Sequence, residues 1–253
     1  MGGKVVGIIS LKGGVGKTSS VSNLGACLAR DFHKKVLIVD ANFSAPNLAL
    51  HIGLIDPKIT IHDVLLNKAK VEDSIYKDDS GFHIIPGSFL SRKVNPFRLK
   101  EKLNPLRECY DIILIDSSPN LNDEMIATMI ASDELLVMTS PDYPTLSTTL
   151  RAIRLATQKN VPIKGLVVNR SRGKNFELNV KDIESAAQVP VLCVLPEDLS
   201  IPESIFHTTP ASIYKPNSKA SIEYKKLAGL LIGEKYEEEG IWSRLMRALR
   251  LKR

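Results

Sequence analysis

The stretch LKGGVGKTS at residues 11–19 decides the fold of this chain. It follows an apolar run, KVVGIIS at 4–10, and leads into a helical pattern that starts near residue 17. A glycine-rich turn between a strand and a helix presents backbone N–H groups to phosphate oxygens, and the helix dipole strengthens the attraction. The usual spacing, G-x-x-x-x-G-K-[ST], places a glycine at position 11. Here Leu11 stands at that position, and Lys12 adds a second lysine.

The residues of this loop carry the chemistry expected of a triphosphate site. Gly13, Gly14 and Gly16 lack the Cβ atoms that would hinder an inward-turned backbone. Lys17 is expected to reach the β- and γ-phosphates, and the hydroxyl of Thr18 is expected to ligate Mg²⁺. The competing interpretation of such a segment is a glycine-rich turn that binds nothing.

Two acidic residues close neighbouring apolar runs. Asp40 ends KVLIVD (35–40), and Asp116 ends YDIILID (110–116). The carboxyl ends of parallel strands meet at the ligand-binding edge of a sheet, so both acids are predicted to lie with Thr18 at the metal. As alternatives, the acids could be helix caps, or Asp40 could bind the ribose of a dinucleotide. A dinucleotide fingerprint requires glycine where Ser19 stands.

The length and composition fit one large cytosolic domain. The chain has 253 residues, 43% of them hydrophobic, and no apolar run of about 18 residues that would cross a membrane. The three cysteines form no CxxC pair and are predicted to be core thiols. Five of the six net positive charges fall within residues 241–253, which leaves a nearly neutral body. That distribution does not favour nucleic-acid binding by the body.

Apolar runs alternate with helical patterns along the chain. Continuous apolar runs are typical of strands buried on both faces of a parallel sheet. The pattern predicts a doubly wound α/β sheet, mostly parallel, with helices on both faces. The predicted strands span 4–10, 35–40, 82–87, 110–116, 134–140, 163–169 and 189–196. The predicted helices lie near 17–31, 60–67, 96–108, 121–131, 145–159, 176–187 and 219–232.

Several motifs together resemble the MinD/ParA family of ATPases with a deviant Walker A loop, and its MinD branch most of all. The loop KGGVGKT (12–18) is the most specific of them, and the resemblance covers essentially the whole chain. Further motifs are VDANFSAPNLAL (39–50), ILIDSSP (113–119), SPDYPTL (140–146), LVVNR (166–170), LPEDLSIPESI (195–205) and YKPNSKASIEYKKLAGLLIG (214–233).

The resemblance implies a dimer that encloses ATP and Mg²⁺. Lys12 of each subunit would cross to the phosphates of the partner, which explains the second lysine of the loop. Ser19 would contact the α-phosphate, while Asn169 and the segment Pro196-Glu197-Asp198 would frame the adenine. The implied nucleotide-binding residues are Lys12, Gly13, Gly14, Val15, Gly16, Lys17, Thr18, Ser19, Asn169, Pro196, Glu197 and Asp198.

Two switch segments depart from the family pattern. The family usually has two acids as D-x-D, the second of which orients the attacking water, whereas this chain has Asp40-Ala41-Asn42. An asparagine can hold a water through its amide oxygen but cannot act as a base. We therefore expect slow hydrolysis with Lys12, Lys17, Asp40 and Asn42 as the catalytic set. In the second switch, Asn120 and Leu121 stand where glycine is common, which leaves its mobility open.

The C-terminal residues 241–253 form an amphipathic pattern. At ~3.6 residues per turn the apolar side chains fall within an arc of about 140°, and three arginines fall opposite with Ser243. This pattern predicts a helix that lies in a membrane interface, although packing on the body or on a protein is the alternative. The predicted lipid-facing and headgroup-facing residues are Ile241, Trp242, Arg244, Leu245, Met246, Arg247, Leu249 and Arg250.

Together these features predict an ATPase domain (1–233), an acidic linker (234–240) and a membrane-targeting helix (241–253). The predicted function is an ATP-dependent switch that forms a homodimer, binds the anionic inner face of the cell membrane and positions an unknown protein partner. The alternatives are a ParA-like partition ATPase on DNA, which the near-neutral body makes less favourable, and an ATP-binding scaffold that hardly hydrolyses.

Overall fold

An eight-stranded sheet forms the centre of the chain in a computed structural model that describes residues 2–90 and 92–236. All neighbouring strands run parallel except the edge pair β3 and β4. The strands are β1 (Lys4–Ile9), β2 (Val36–Ala41), β3 (Tyr76–Lys77), β4 (His83–Ile85), β5 (Ile112–Ser117), β6 (Glu134–Thr139), β7 (Ile163–Ser171) and β8 (Val191–Pro196). Their order across the sheet is β3-β4-β2-β5-β1-β6-β7-β8.

Helices cover both faces of this sheet. They are α1 (Lys17–Arg30), α2 (Ile61–Leu65), α3 (Leu99–Leu103), α4 (Asp123–Ala131), α5 (Tyr143–Gln158), α6 (Val180–Ala187), α7 (Ser200–Phe206), α8 (Ala211–Tyr214) and α9 (Lys219–Ile232). Short 3₁₀ turns lie at Leu50–Ile52, Glu72–Ser74, Pro96–Arg98 and Asn104–Glu108.

The hydrophobic core has one layer on each side of the sheet. Val6 and Ile8 of β1 pack on the side of α1 and α9, whereas Val5 and Ile9 face the opposite side. Every residue of β2 and of β5 is buried. Side chains that alternate between two apolar layers explain the continuous apolar runs of these strands. The buried sheet fixes the carboxyl ends of β1, β2 and β5 beside one another.

The predicted doubly wound sheet is confirmed, and each of the seven predicted strands has a counterpart in it. The sequence pattern missed β3, a strand of two residues, and also α7 and α8. Pro202 lies inside α7 and Pro210 immediately precedes α8, and both helices are shorter than a clear helical period requires. The predicted helix 96–108 is α-helical only over α3, which lies between two 3₁₀ turns. The α-helix ends before Pro105 because proline has no N–H to continue the hydrogen-bond ladder.

The prediction that all cysteines are core thiols is wrong for Cys109. Cys27 and Cys193 are buried, but Cys109 is exposed. It follows the 3₁₀ turn Asn104–Glu108, and its N–H donates to the carbonyl of Leu106. The chain turns there before β5 enters the sheet, so an apolar neighbourhood in sequence does not bury this side chain.

The acidic segment after α9 begins against the body. The Lys34 ammonium lies 2.7 Å from a Glu234 carboxylate oxygen, and the ring of Tyr236 meets the ring of Phe32 edge-on at 6.5 Å. These contacts lie at the C-terminal end of α1, at the opposite end of that helix from the phosphate loop. The predicted tail residues from Ile241 to Arg250 lie outside the described residues. Within the described ranges, none of the helices is sufficiently long and apolar to cross a membrane.

Candidate nucleotide site

The phosphate loop closes around a small cavity at the N-terminus of α1. The cavity, of about 210 Å³, lies at the carboxyl edge of the sheet. Gly16 precedes α1 with a φ of 99°, and no side chain caps the helix. The first turn of α1 also has no acidic residue, so its N–H groups and dipole favour an anion. The lining residues are Gly13, Gly14, Gly16, Lys17, Thr18, Ser19, Asn42, Asn47, His51, Ser117, Pro119 and Arg170.

Gly16 is required by the close approach of Asn169. A Cβ atom at position 16 would lie 2.3 Å from the Asn169 amide nitrogen. That nitrogen donates a hydrogen bond of 2.7 Å to the carbonyl oxygen of Val15. The end of β7 is therefore tied to the phosphate loop through one asparagine side chain.

Lys17 is a buried cation at the floor of the cavity. Lys17 is only 7% exposed. Burial lowers the pKa of its ammonium, whereas the negative charge of Asp116 acts to raise it. A desolvated ammonium gains most from a multiply charged anion. A lysine in this position suits a phosphate group, and its contact with the β- and γ-phosphates stays a prediction.

Asp40 and Asp116 lie side by side on neighbouring strands. They are direct partners in the parallel register of β2 and β5. Burial and the charge of Asp116 raise the pKa of Asp40 to about 8, and burial raises the pKa of Asp116 to about 6. Like charges on neighbouring buried carboxylates favour protonation, and a cation at this edge of the sheet would favour the charged forms.

The environment of Asp116 fits Mg²⁺. Its Oδ2 atom lies 2.6 Å from the Thr18 hydroxyl, while its buried Oδ1 atom has no hydrogen-bond partner among the described residues. Within residues 2–90 and 92–236, no group of three His, Cys, Asp or Glu side chains could hold a metal alone. Mg²⁺ typically takes one or two protein oxygens together with phosphate oxygens and water, which is the donor set that Thr18 and Asp116 offer.

Asp40 organises the segment that follows β2. Its carboxylate accepts N–H groups from Asn42 at 3.1 Å and from both Asn47 and Leu48 at 3.0 Å. The amide of Asn42 donates a hydrogen bond of 2.6 Å to the carbonyl of Ala45. Asp40 therefore holds this switch segment in place. The amide of Asn42 can donate to the Ala45 carbonyl that it faces, which a carboxylate could not do.

Lys12 turns away from the phosphate cavity of its own chain. Its ammonium lies 2.5 Å from the Thr145 hydroxyl and 3.7 Å from Asp142 Oδ1, at the start of α5. Asp142 caps α5 by accepting the N–H of Thr145 at 2.9 Å. The two lysines of the loop therefore have different surroundings: Lys17 lines the phosphate cavity and Lys12 does not.

A second cavity of about 440 Å³ adjoins the first and suits a base. The structure brings the predicted residues Asn169, Pro196, Glu197 and Asp198 together on its wall. Its other lining residues are Gly16, Ser19, Arg170, Leu199, Ile201, Pro202, Ile205 and Tyr224. A largely apolar wall with a few polar groups is typical of a pocket for a planar ring.

The two acidic side chains of this second cavity already have protein partners. Asp198 accepts the backbone N–H groups of Ser200 at 2.8 Å and Ala220 at 3.1 Å. Glu197 accepts a hydrogen bond from Arg172 at 3.0 Å. Asp198 therefore shapes the wall by fixing α7 against α9, and the contacts of these residues with adenine stay a prediction.

Sequence reasoning did not predict five of the residues that line the phosphate cavity, which are Asn47, His51, Ser117, Pro119 and Arg170. Asn47 lies with its Oδ1 atom 3.2 Å from the Thr18 hydroxyl, and His51 follows one turn later. Asn47, Ser117, Pro119 and Arg170 fall within the motifs VDANFSAPNLAL, ILIDSSP and LVVNR, whereas His51 lies outside all of them. Burial lowers the pKa of His51, so its imidazole is neutral at pH 7.

The second switch keeps the backbone conformation that glycine usually supplies. Asn120 has a φ of 75°, a left-handed conformation that asparagine adopts more readily than most residues. The Ser118 hydroxyl then donates a hydrogen bond of 2.8 Å to the side chain of Asn122, which caps α4. The substitution therefore preserves the turn of this segment.

Comparisons with known proteins found similar ATP-binding proteins. A family model described as an AAA domain matches residues 3–160. An uncharacterized ATP-binding protein of Methanocaldococcus jannaschii is 35% identical over 92% of this chain and 89% of its own length. The septum site-determining protein MinD of Bacillus subtilis is 29% identical over 92% of this chain and 90% of its own length.

Two solved structures share the fold over most of this chain. The crystal structure of the Pyrococcus furiosus cell division ATPase MinD has a TM-score of 0.87 and 34% identity, and covers 91% of this chain and 99% of that one. The septum site-determining protein MinD of Pyrococcus horikoshii, complexed with Mg-ADP, has a TM-score of 0.86 and 33% identity. That similarity covers 90% of this chain and 95% of the other.

Proposed function

This chain belongs to the MinD/ParA family of P-loop ATPases, with ATP and Mg²⁺ as its cofactors, and on that premise we propose that it is an ATP-dependent membrane switch. ATP joins two copies, the pair binds the anionic inner face of the cell membrane, and hydrolysis releases both. While bound, the dimer positions another protein.

The proposed dimer is supported by the orientation of Lys12. A lysine in a phosphate loop is expected to face the phosphates, yet this ammonium lies against Thr145 and Asp142. Lys17 already occupies the cavity, and a second buried ammonium beside it would add like-charge repulsion. Phosphates bound in another copy give Lys12 a partner of opposite charge. The lysine thereby makes dimer formation depend on ATP.

The proposal of slow hydrolysis rests on Asn42. This residue lines the phosphate cavity where the family usually has a second acid. Its amide oxygen can hold a water, but it cannot take a proton from that water. Loss of a general base reduces rates on the order of 10²-fold, while the remaining charge stabilisation keeps the reaction possible. A long-lived ATP state gives the dimer time to act.

Membrane binding by the tail would follow from two weak contacts. Each tail offers five apolar anchors, but ordering about a dozen residues opposes their burial at ~1–2 kcal/mol each. Arginines near an anionic surface contribute about 1 kcal/mol each. A single copy therefore binds weakly, whereas a dimer gains roughly 10²–10⁴ in avidity. In this way the nucleotide state controls attachment.

The names of the relatives suggest the process in which the protein partner acts. The Bacillus subtilis relative is named as septum site-determining, and the Pyrococcus furiosus structure as a cell division ATPase. Positioning of a protein partner in cell division, or in another process of spatial organisation, is therefore the role we propose. The partner and any activator of hydrolysis would bind the dimer that ATP forms.

Sedimentation with vesicles tests the proposal. Full-length protein is mixed with phosphatidylglycerol-containing vesicles and with neutral phosphatidylcholine vesicles, in the presence of Mg-ATP, Mg-ADP or no nucleotide. We expect binding to the anionic vesicles with ATP only, and none for a variant that ends at Glu239. Equal binding in all three nucleotide states would contradict the proposed switch.

A pair of point variants separates the apolar contact from simple charge. Leu245→Glu places an acid on the predicted apolar face and is expected to abolish binding, whereas Ser243→Glu places the same charge on the arginine face. We expect the second variant to bind more weakly than wild type but measurably. If neither vesicle type is bound while DNA is bound with a steep salt dependence, the partition ATPase is the correct alternative.

A further inference from the structure

Arg170 stands at the junction of the two cavities of the nucleotide site. The phosphate cavity and the base cavity share three lining residues, which are Gly16, Ser19 and Arg170. A nucleotide that fills both cavities places its ribose and α-phosphate at this junction. Arg170 contributes the one cation among the three shared residues.

In the described part of the chain the guanidinium of Arg170 takes part in no hydrogen bond and no ion pair, although its charge helps to lower the pKa of Glu197. Arg172, two residues further on, forms an ion pair with Glu197 through two of its nitrogens. An arginine beside a negatively charged ligand binds it best when no carboxylate competes for its fork of N–H groups. The side chain of Arg170 is exposed, and the nearby Glu197 is bonded to Arg172 through both of its carboxylate oxygens, so the fork of Arg170 is open to a ligand.

The backbone of Arg170 adopts a strained conformation. Its φ is 59°, in the left-handed region that a side chain of this type rarely adopts. The register of β7 against β8 shifts between Val168 and Ser171, and the Arg170 N–H donates a hydrogen bond of 2.9 Å to Asn169 Oδ1. Asn169 in turn binds the carbonyl of Val15 in the phosphate loop. Strained residues of this kind often mark ligand contacts.

We propose that Arg170 is a nucleotide-binding residue whose guanidinium binds the α-phosphate, beside the ribose. This role rests on the nucleotide site alone and not on dimer formation or membrane binding. Because ATP and ADP share the α-phosphate, Arg170 holds both nucleotides equally. Lys12, by contrast, is proposed to act on the triphosphate of a partner. Arg170 thus keeps the nucleotide bound after the γ-phosphate has left.

Titration of nucleotides tests this assignment. The dissociation constants of Mg-ADP and of a magnesium complex of a non-hydrolysable ATP analogue are measured for wild type and for Arg170→Ala, Arg170→Gly and Arg170→Lys. We expect both constants to rise about tenfold or more in Arg170→Ala, the range for loss of a charge-assisted hydrogen bond. Arg170→Lys is expected to recover part of the affinity, because it keeps the charge but not the planar fork.

Arg170→Gly separates binding from backbone strain. Glycine adopts the left-handed conformation freely, so this variant is expected to unfold at the same or a higher temperature while it binds both nucleotides as weakly as Arg170→Ala. Arg151→Ala, which removes an exposed arginine of α5, controls for net charge and is expected to bind like wild type. Wild-type affinity for Mg-ADP in Arg170→Gly would overturn the proposal. A loss confined to the ATP analogue would also overturn it, since it would place the guanidinium on the γ-phosphate.

Discussion

The ammonium of Lys12 lies 2.5 Å from the hydroxyl of Thr145, so the phosphate loop is bound to the first turn of α5 by a lysine that phosphate loops usually lack. Asp142 adds a carboxylate oxygen at 3.7 Å. In a single chain this contact neutralises a cation that would otherwise be unpaired. In the proposed dimer Lys12 would have to leave Thr145 and Asp142 to reach the phosphates of another copy, so this contact would oppose dimer formation.

Removal of the hydroxyl acceptor is therefore expected to favour the dimer. Thr145→Val keeps the shape of the side chain but removes the atom that Lys12 contacts. A hydrogen bond of this kind contributes about 0.5–1.5 kcal/mol, and the half-exposed lysine places it near the lower end. We expect ATP-dependent dimerisation at about two- to five-fold lower protein concentration, measured by sedimentation velocity.

Thr148→Val is the matched control for that change. Thr148 lies one turn further along α5, and its hydroxyl donates to the carbonyl of Thr145 without contacting Lys12. Its dimerisation is expected to match wild type. Identical behaviour of the two variants would show that the contact at Thr145 does not oppose the dimer.

Restoration of the second acid is expected to accelerate hydrolysis. Asn42→Asp supplies a carboxylate in the phosphate cavity, and we expect a single-turnover rate higher by on the order of 10²-fold. In wild type the Asn42 amide donates to the Ala45 carbonyl at 2.6 Å. The new carboxylate would face the same carbonyl, and the repulsion between them reduces the gain in rate. Rapid-quench measurement of ADP formation gives the rate.

Asn42→Ala distinguishes base chemistry from loosening of the loop. It removes the same hydrogen bond to Ala45 but adds no acid, and its rate is expected to stay at or below that of wild type. If Asn42→Asp is no faster than wild type, the assignment of position 42 is wrong. Near-zero rates in wild type and in Asn42→Asp alike would favour the non-hydrolysing scaffold.

The paired acids predict that stability falls as the pH rises in the absence of nucleotide. The folded pKa values of about 8 for Asp40 and about 6 for Asp116 lie above the unfolded value of 3.8, so the folded chain binds more protons between these limits. The stability due to this proton uptake is complete below about pH 4 and is lost as the pH rises through about 8. Urea unfolding at pH 6, 7 and 8 measures the slope.

Asp116→Asn keeps a partner for Thr18 but removes one of the two charges, so its slope is expected to be smaller. Mg-ADP competes with the proton at the acids, and we expect its affinity for wild type to increase from pH 6 to pH 8. Calorimetry in buffers of different ionisation enthalpy should show proton release on binding. A binding reaction that releases no proton would contradict the raised pKa values.

Two glycines of the loop are expected to differ in their tolerance of alanine. Gly14 and Gly16 both have positive φ, but a Cβ atom at Gly14 meets nothing within 4 Å, whereas one at Gly16 meets the Asn169 amide at 2.3 Å. The left-handed conformation costs an alanine about 1–2 kcal/mol. We expect Gly14→Ala to lower the free energy of unfolding by about that amount and Gly16→Ala by about 2–4 kcal/mol. Equal losses in the two variants would contradict the role of Asn169.

Much of the fold could be predicted because local and tertiary signals agree. The strands of the sheet are buried on both faces, so their apolar runs are continuous, and the glycine-rich loop fixes the first strand and helix. Asp40 and Asp116 could be placed together because carboxyl ends of parallel strands share an edge. The prediction of one continuous helix over 96–108 followed the helical pattern and gave too little weight to Pro105, the local signal at which the α-helix ends.

Other parts of the site depend on contacts that sequence order hides. The ties of Asn169 to Val15 and of Lys12 to Thr145 join residues more than 130 positions apart. Arg170 gains its place from a register shift between β7 and β8, which leaves no mark in composition or periodicity. Such contacts arise from the packing of the sheet edge and are visible only in three dimensions.

ATP is proposed to clamp two copies of this chain together, and the mass of the protein in solution tests this most directly. Sedimentation equilibrium with Mg²⁺ and a non-hydrolysable ATP analogue is expected to give twice the 27.9 kDa of one chain, and the single-chain mass with Mg-ADP. Lys12→Ala is expected to bind the analogue yet remain a single chain. A wild-type protein saturated with the analogue that still sediments as one chain would contradict the account.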